Sequence, residues 1–262
     1  MAPSQTLPPS GALVLFALAM LLLFYAGGFL QIKFRYWGVL ATLWGLILAP
    51  ALLAAWYAKL DFRKAFHLAP FRPMSLAGTV VLCLGAAGLA AWVGALQTKL
   101  FPESLKMLEG LKDYLDLQKS GIGLLPGLFV LALSPGVCEE MLFRGVLLSS
   151  FKRKLPAWAA VSLVALLFAV IHLNLFRLVP TFLLGLYLTF IVYRTGSIYL
   201  SMLAHALNNG LALVLIYYPS LSARLPWLAG EAPFPALALL IFIALAAAGL
   251  TLISYDTRTR RA

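Results

Sequence analysis

Glu139 and Glu140 stand side by side in an apolar stretch, Pro135-Gly136-Val137-Cys138-Glu139-Glu140-Met141-Leu142-Phe143-Arg144-Gly145. An ionisable side chain at bilayer depth costs about 2.5–3.5 kcal/mol on insertion scales, so an acid pair there asks for a purpose. On a helix Glu140 and Arg144 are four residues apart on one face, where the guanidinium can pair the carboxylate. Adjacent residues are turned by about 100°, so Glu139 faces elsewhere. This spacing gives the acids different jobs: Glu140 paired and structural, Glu139 free to take a proton. A buried ion-pair network that only orients helices is the plain alternative.

Two further apolar stretches carry polar side chains. Phe168 and His172 share a helical face near the end of one, and His205 and Asn209 share a face within another, with Asn208 turned away. Taken singly, these are ordinary interfacial or interhelical polar residues. Taken together, they are an acid, two imidazoles and an amide at comparable depth. At ~1.5 Å per residue from the basic ends of their segments, Glu139 lies about 20 Å in, His172 about 27 Å and His205 about 17 Å. One shared cavity can hold them once tilt is allowed.

The elements that must position these groups are membrane spans. The chain has 262 residues, 63% hydrophobic and 11% charged, where a soluble domain carries about 25% charged residues. Eight spans of roughly 20 residues fit the hydrophobic runs: 11–31, 36–58, 74–97, 121–150, 156–173, 177–193, 197–218 and 232–254. The expected fold is a single all-α, polytopic membrane bundle over residues 1–262, with its active site inside. The fourth span, running towards Lys152-Arg153-Lys154, is long enough to tilt or emerge. Between the third and fourth, Phe101–Ser120 alternates apolar and charged residues as an amphipathic surface helix does, a connector that could also gate lateral entry.

Several classes are excluded. The net charge of +11 comes from basic residues scattered between apolar blocks, which suits membrane orientation and not nucleic-acid binding. Placing both termini in the cytoplasm puts more of the Lys and Arg inside, including Arg63, Lys64 and Lys152-Arg153-Lys154. Met1–Ser10 has no basic residue and the following run is too long for a signal peptide, so it reads as a retained span. Cys83 and Cys138 are too few and too far apart for a disulfide framework or a thiolate metal site. Asp61, His67 and Asp256 fall in expected loops, and no Gly-x-Ser-x-Gly elbow or His-Glu-x-x-His helix is present.

Glu139-Glu140-x-x-x-Arg144, then Phe168-x-x-x-His172, then His205-x-x-x-Asn209 resemble the three motifs of the CPBP family, the type II CAAX prenyl endopeptidases and the bacteriocin-processing or immunity (Abi) proteins. Pro135, Phe143-Arg144-Gly145 and Arg194-Thr195-Gly196-Ser197 agree as flanks, and the likeness covers about residues 121–215. The resemblance implies an intramembrane endopeptidase. Glu139 and His172 would activate water, His205 and Asn209 would support the oxyanion, and Glu140 with Arg144 would be the supporting pair. It implies a membrane-anchored or hydrophobic protein or peptide as substrate, a bilayer as surroundings and, on the compact chain, a bacterial plasma membrane.

Members of the family are often called metalloproteases. If this chain were one, Glu139, His172 and His205 would supply a three-ligand zinc site. The residues favour water activated without metal, because no two-histidine i,i+4 clamp is present and Asn209 is a poor zinc ligand. No other cofactor is expected. Two other functions fit the polar cluster: a transporter using it as a proton or ion relay, and a non-catalytic immunity or scaffold member of the same family.

Overall fold

In lipid, a chain must satisfy its backbone hydrogen bonds internally, and helices do so segment by segment. The computed structural model describes residues 6–103, 110, 121–227 and 232–259, and among these no β-strand is present. The first helical run, α1, extends over Pro9–Tyr57. It is broken at Arg35, whose φ of 48° and ψ of −119° are non-helical. The two arms fold back on each other beside the break. A Cβ on Gly38 would sit 2.0 Å from the Leu30 carbonyl oxygen, so only glycine permits this approach. Farther along, Gln31 Nε2 donates to Thr42 Oγ1 at 3.5 Å across the arms.

The remaining helices follow in order. Asp61 caps the four-residue α2, Phe62–Ala65, by accepting from the Lys64 N–H. Helix α3 spans Pro73–Leu100, and α4 spans Leu124–Phe151. Helix α5 covers Ala157–Val170. A tight turn at Leu175–Arg177, capped by Asn174, leads into α6, Leu178–Thr195, which Gly196 ends in the left-handed conformation at φ 71°. Helix α7 is Ile198–Tyr217, α8 the short Pro219–Ser222, and α9 Ala236–Arg258.

Six helices among the described residues are long and apolar enough to cross a membrane. The eight-span expectation differs from this in two places. The first two spans form the single broken run α1, and the fifth, α5, has only 14 residues. Asp256, placed in a loop by its polarity, lies within α9, where it accepts from Ser75 Oγ and faces Arg72 at 3.5 Å. Those partners explain why the helix carries it. Residues 104–109 and 111–120, most of the segment expected to form an amphipathic helix over Phe101–Ser120, lie outside the described residues.

Helix α4 packs against α1, α5, α6 and α7 and so forms the axis of the bundle. Its Phe143, Val146, Leu147 and Phe151 are buried against Leu15 and Ala51 of α1 and Val164 and Phe168 of α5. Outward side chains such as Val14, Phe24, Ile32 and Leu175 remain exposed, as lipid contact requires, and Trp56, Tyr57 and Trp158 cluster at one end, where aromatic residues mark a membrane surface. The chain is an integral membrane protein. At its flank α3 and α9 meet along small residues: a Cβ on Gly85 would lie 2.4 Å from the Ala246 nitrogen. Close backbone approach of this kind is how helices associate where lipid removes the hydrophobic drive. Gly85→Val should therefore separate α3 from α9 and destabilise the protein by about 1–3 kcal/mol. Thermal unfolding in detergent would show this as a lowered midpoint relative to Gly94→Val, whose Cβ meets nothing within 4 Å.

Candidate active site

The polar residues of the three motifs lie on α4, α5 with its C-terminal turn, and α7. Within α4 the regular stretch Ser134–Glu140 is bracketed by two over-wide turns, Phe129–Leu133 and Met141–Leu147. Such turns sit disproportionately at functional sites because they re-aim side chains and release main-chain groups. Arg144, inside the second, reaches back one turn: its Nη1 is 2.6 Å from Glu140 Oε1, and both side chains are fully buried. The guanidinium also donates from Nε to Thr189 Oγ1 (3.2 Å) and from Nη2 to the Gly185 carbonyl (3.1 Å), both on α6. It stacks 4.4 Å from the Phe168 ring centroid. A buried charge persists only when paired and hydrogen-bonded, and Arg144 is both.

Glu140 has a second partner. His205 Nδ1 lies 2.8 Å from the same Oε1, which ties α7 to α4. Because a carboxylate accepts, this nitrogen carries a proton, leaving His205 Nε2 pointed at Glu139, whose Oε2 is 3.9 Å away. Gly136 lets the two helices come this close, since a Cβ there would meet the Met202 carbonyl oxygen of α7 at 3.0 Å.

Glu139 is differently placed. Its side chain is 17% exposed, and its Oε2 has no hydrogen-bond partner among the described residues. It lines a cavity of about 490 Å³ together with His172, Pro135, Gln31, Thr42 and Arg177. His172 Nδ1 is 2.8 Å from the Phe168 carbonyl. A carbonyl only accepts, so Nδ1 is the protonated nitrogen and Nε2 keeps its lone pair. Phe168 packs edge-on against both imidazoles, with centroids 5.0 Å from His172 and 5.6 Å from His205.

Glu139, Glu140, Arg144, Phe168, His172 and His205 thus form one connected cluster. Asn209 is one turn beyond His205, but its amide donates to the Leu131 carbonyl at 3.3 Å and it does not line the cavity. Asn208 turns to another cavity, beside Tyr187 and Leu82. Among the described residues no three His, Cys, Asp or Glu side chains come together as a group that could hold a metal ion. Glu139, His172 and His205 therefore do not form a ready ligand set.

Residues 121–211 match the model of a protein family described as type II CAAX prenyl endopeptidase Rce1-like. That match supports CPBP family membership. The matched segment begins just before α4 and ends within α7, so it encloses every CPBP motif residue described above. The family points to CAAX-type protease activity. No curated protein and no solved structure matches the chain.

Four contributors to the site were not evident from sequence. Thr189 and the Gly185 carbonyl hold Arg144, and a hydroxyl or a glycine in an apolar run has no distinctive spacing. Arg177, at the start of an expected span, lines the Glu139 cavity. His67, between α2 and α3, is nearly buried, and its Nδ1 donates to the Arg144 carbonyl at 2.7 Å. Its Nε2 accepts from Lys152 Nζ at 2.6 Å. Burial, reinforced by the Lys152 charge, lowers the His67 pKa from the usual 6.5 to about 3.

Two outcomes follow from this geometry. Arg144→Met leaves Glu140 buried without its main partner and should cost about 3–5 kcal/mol of stability, whereas Glu139→Gln should change it by no more than about 0.5 kcal/mol. Denaturant unfolding in detergent measures both, and equal losses would contradict the division of the acids. His67 stays neutral in the fold while the unfolded chain binds its proton below 6.5. Stability should therefore fall as pH drops from 6.5 towards 3. Unfolding midpoints across that range should decline less steeply in His67→Gln, which can still donate to the Arg144 carbonyl.

Proposed function

We propose that the protein is an intramembrane endopeptidase of CAAX type that hydrolyses a peptide bond in a membrane-tethered or hydrophobic protein or peptide. The observation that carries this reading is the contrast between the acids. Glu140 is fully buried, neutralised by Arg144 and held by His205, while Glu139 is 17% exposed, has no arginine or lysine salt bridge among the described residues, and lines a cavity it shares with His172. A carboxylate beside an imidazole lone pair is a proton-accepting pair.

In the proposed reaction Glu139 takes a proton from water, with His172 Nε2 orienting that water through its fixed tautomer. The hydroxide adds to the scissile carbonyl carbon. His205 would act as the imidazolium, keeping both protons throughout: Nδ1 donates to Glu140 and Nε2 donates to the oxygen that becomes negative. Collapse breaks the C–N bond, and the proton held by Glu139 passes to the leaving amine. Asn209 would join as a second oxyanion donor by turning its amide from the Leu131 carbonyl into the site, and losing such a donor costs about 10²–10³ in rate. Zinc would act as a Lewis acid at such a site. The donor geometry does not favour it, and no step here depends on it. The basic end of the bundle, with Arg63, Lys64 and Lys152, would face the cytoplasm of a bacterial cell, leaving both termini inside.

Purified protein in liposomes, given a lipidated peptide, tests the reading. Glu139→Gln, His172→Ala and His205→Ala should each lower cleavage at least about 10²-fold while remaining folded. Chelation should leave cleavage unchanged. Full activity in Glu139→Gln would refute the mechanism, and one tightly held zinc per chain whose removal abolishes cleavage would replace its metal-free form. The row Glu139–His205–Glu140 also has the make-up of a proton relay. Gradient-dependent flux without proteolysis would establish that function instead.

A further inference from the structure

A second cavity, of about 420 Å³, opens at the end of the bundle where α4 and α6 terminate. Arg63, Lys64, His67, Lys152 and Arg153 line it, with Gly196 at its edge, and no carboxylate does. Basic residues at a membrane face are common and usually point into solvent independently. Here they converge on one concavity. Lys152 Nζ is anchored on the lone pair of the nearly buried His67, and Arg153 donates to Thr6 Oγ1 at 3.1 Å, which orients both side chains. Burial pushes the Lys152 ammonium below its usual pKa. Asp61, which meets Lys64 at 3.5 Å, does not line the cavity.

We propose that this cavity binds a phosphate-bearing anion, supplied by the headgroup of an anionic phospholipid. The cations bring several donors onto one concavity, as phosphate oxygens require, and planar guanidinium groups bind such oxygens two at a time. The depth fits a headgroup: Trp56, Tyr57 and Trp158, all strongly exposed, mark the membrane surface at the same end of the bundle. The size lies within the usual range for small-ligand sites, roughly 300–1,000 Å³. The bound anion would also touch the catalytic helix through one intermediary, since Lys152 holds His67 and His67 holds the Arg144 carbonyl. Occupancy therefore stiffens the wide turn that carries the Glu140–Arg144 pair. The proposal does not depend on the peptidase reading.

The test compares lipid retention and thermal stability of the whole protein in detergent supplemented with phosphatidylglycerol or phosphatidylcholine. Native mass spectrometry should show phosphatidylglycerol retained by the wild type, with a raised unfolding midpoint, and phosphatidylcholine not retained. Each surface cation removed from the cavity should weaken retention about fivefold, and Arg153→Gln with Lys152→Gln about twenty-five-fold. Arg63→Gln with Lys64→Gln, on the exposed α2, gives a second variant that spares the His67 contact. Lys59→Gln with Arg258→Gln removes equal charge at the same end outside the cavity and should retain the lipid. Equal losses in that control pair would mean diffuse attraction and overturn the proposal, as would unchanged retention in both cavity variants. A midpoint shift produced equally by inorganic phosphate, and lost in the cavity variants, would keep the phosphate site but assign it to a soluble source.

Discussion

The buried Glu140–Arg144 pair is the constraint on which the rest of the structure depends. An arginine with no solvent exposure must find every partner within the protein, and Arg144 finds them on α4, α5 and α6 at once: Glu140, the Phe168 ring, Thr189 and the Gly185 carbonyl. Glu140 adds α7 through His205. Four helices are thereby fixed in azimuth and depth by one network. In lipid, where apolar packing alone discriminates weakly between helix registers, a network of this kind specifies a single arrangement.

What the network leaves over is as informative as what it uses. With Glu140 neutralised, Glu139 contributes a partly exposed acid on a cavity that also reaches His172. The wide turns on either side of Ser134–Glu140 belong to the same solution. They let neighbouring residues on one helix serve opposite purposes, one inside the packed network and one at its edge. Main-chain groups released by the second turn are then satisfied from outside, as His67 does for the Arg144 carbonyl.

The parts legible in sequence were those where polarity contradicts its surroundings. Glu139, Glu140, Arg144, His172 and His205 stand out because each breaks an apolar run, and the four-residue spacing of Glu140 and Arg144 brings them together as helical geometry requires. Helix placement followed the same hydropathy signal. It could not report that the first two spans are one helical run broken at Arg35, since a lone backbone excursion leaves no mark on composition. The tertiary partners were also hidden. His67 and Arg177 have no local pattern that separates a site residue from a loop residue, and Thr189 resembles any hydroxyl in a span. Asn209, which shares a face with His205, turns its amide to Leu131 because α4 passes beside it, a fact of packing and not of spacing.

The central claim is that Glu139 serves as the carboxylate that activates water while Glu140 holds the fold. Comparing protein termini across the proteomes of cells carrying the wild-type chain and cells carrying Glu139→Ala tests that claim on native substrates. The expected result is a small set of membrane-associated proteins whose processed termini are present with the wild type and replaced by unprocessed ones in the variant, at equal protein level. Identical termini in the two strains, with the variant folded and abundant, would contradict it.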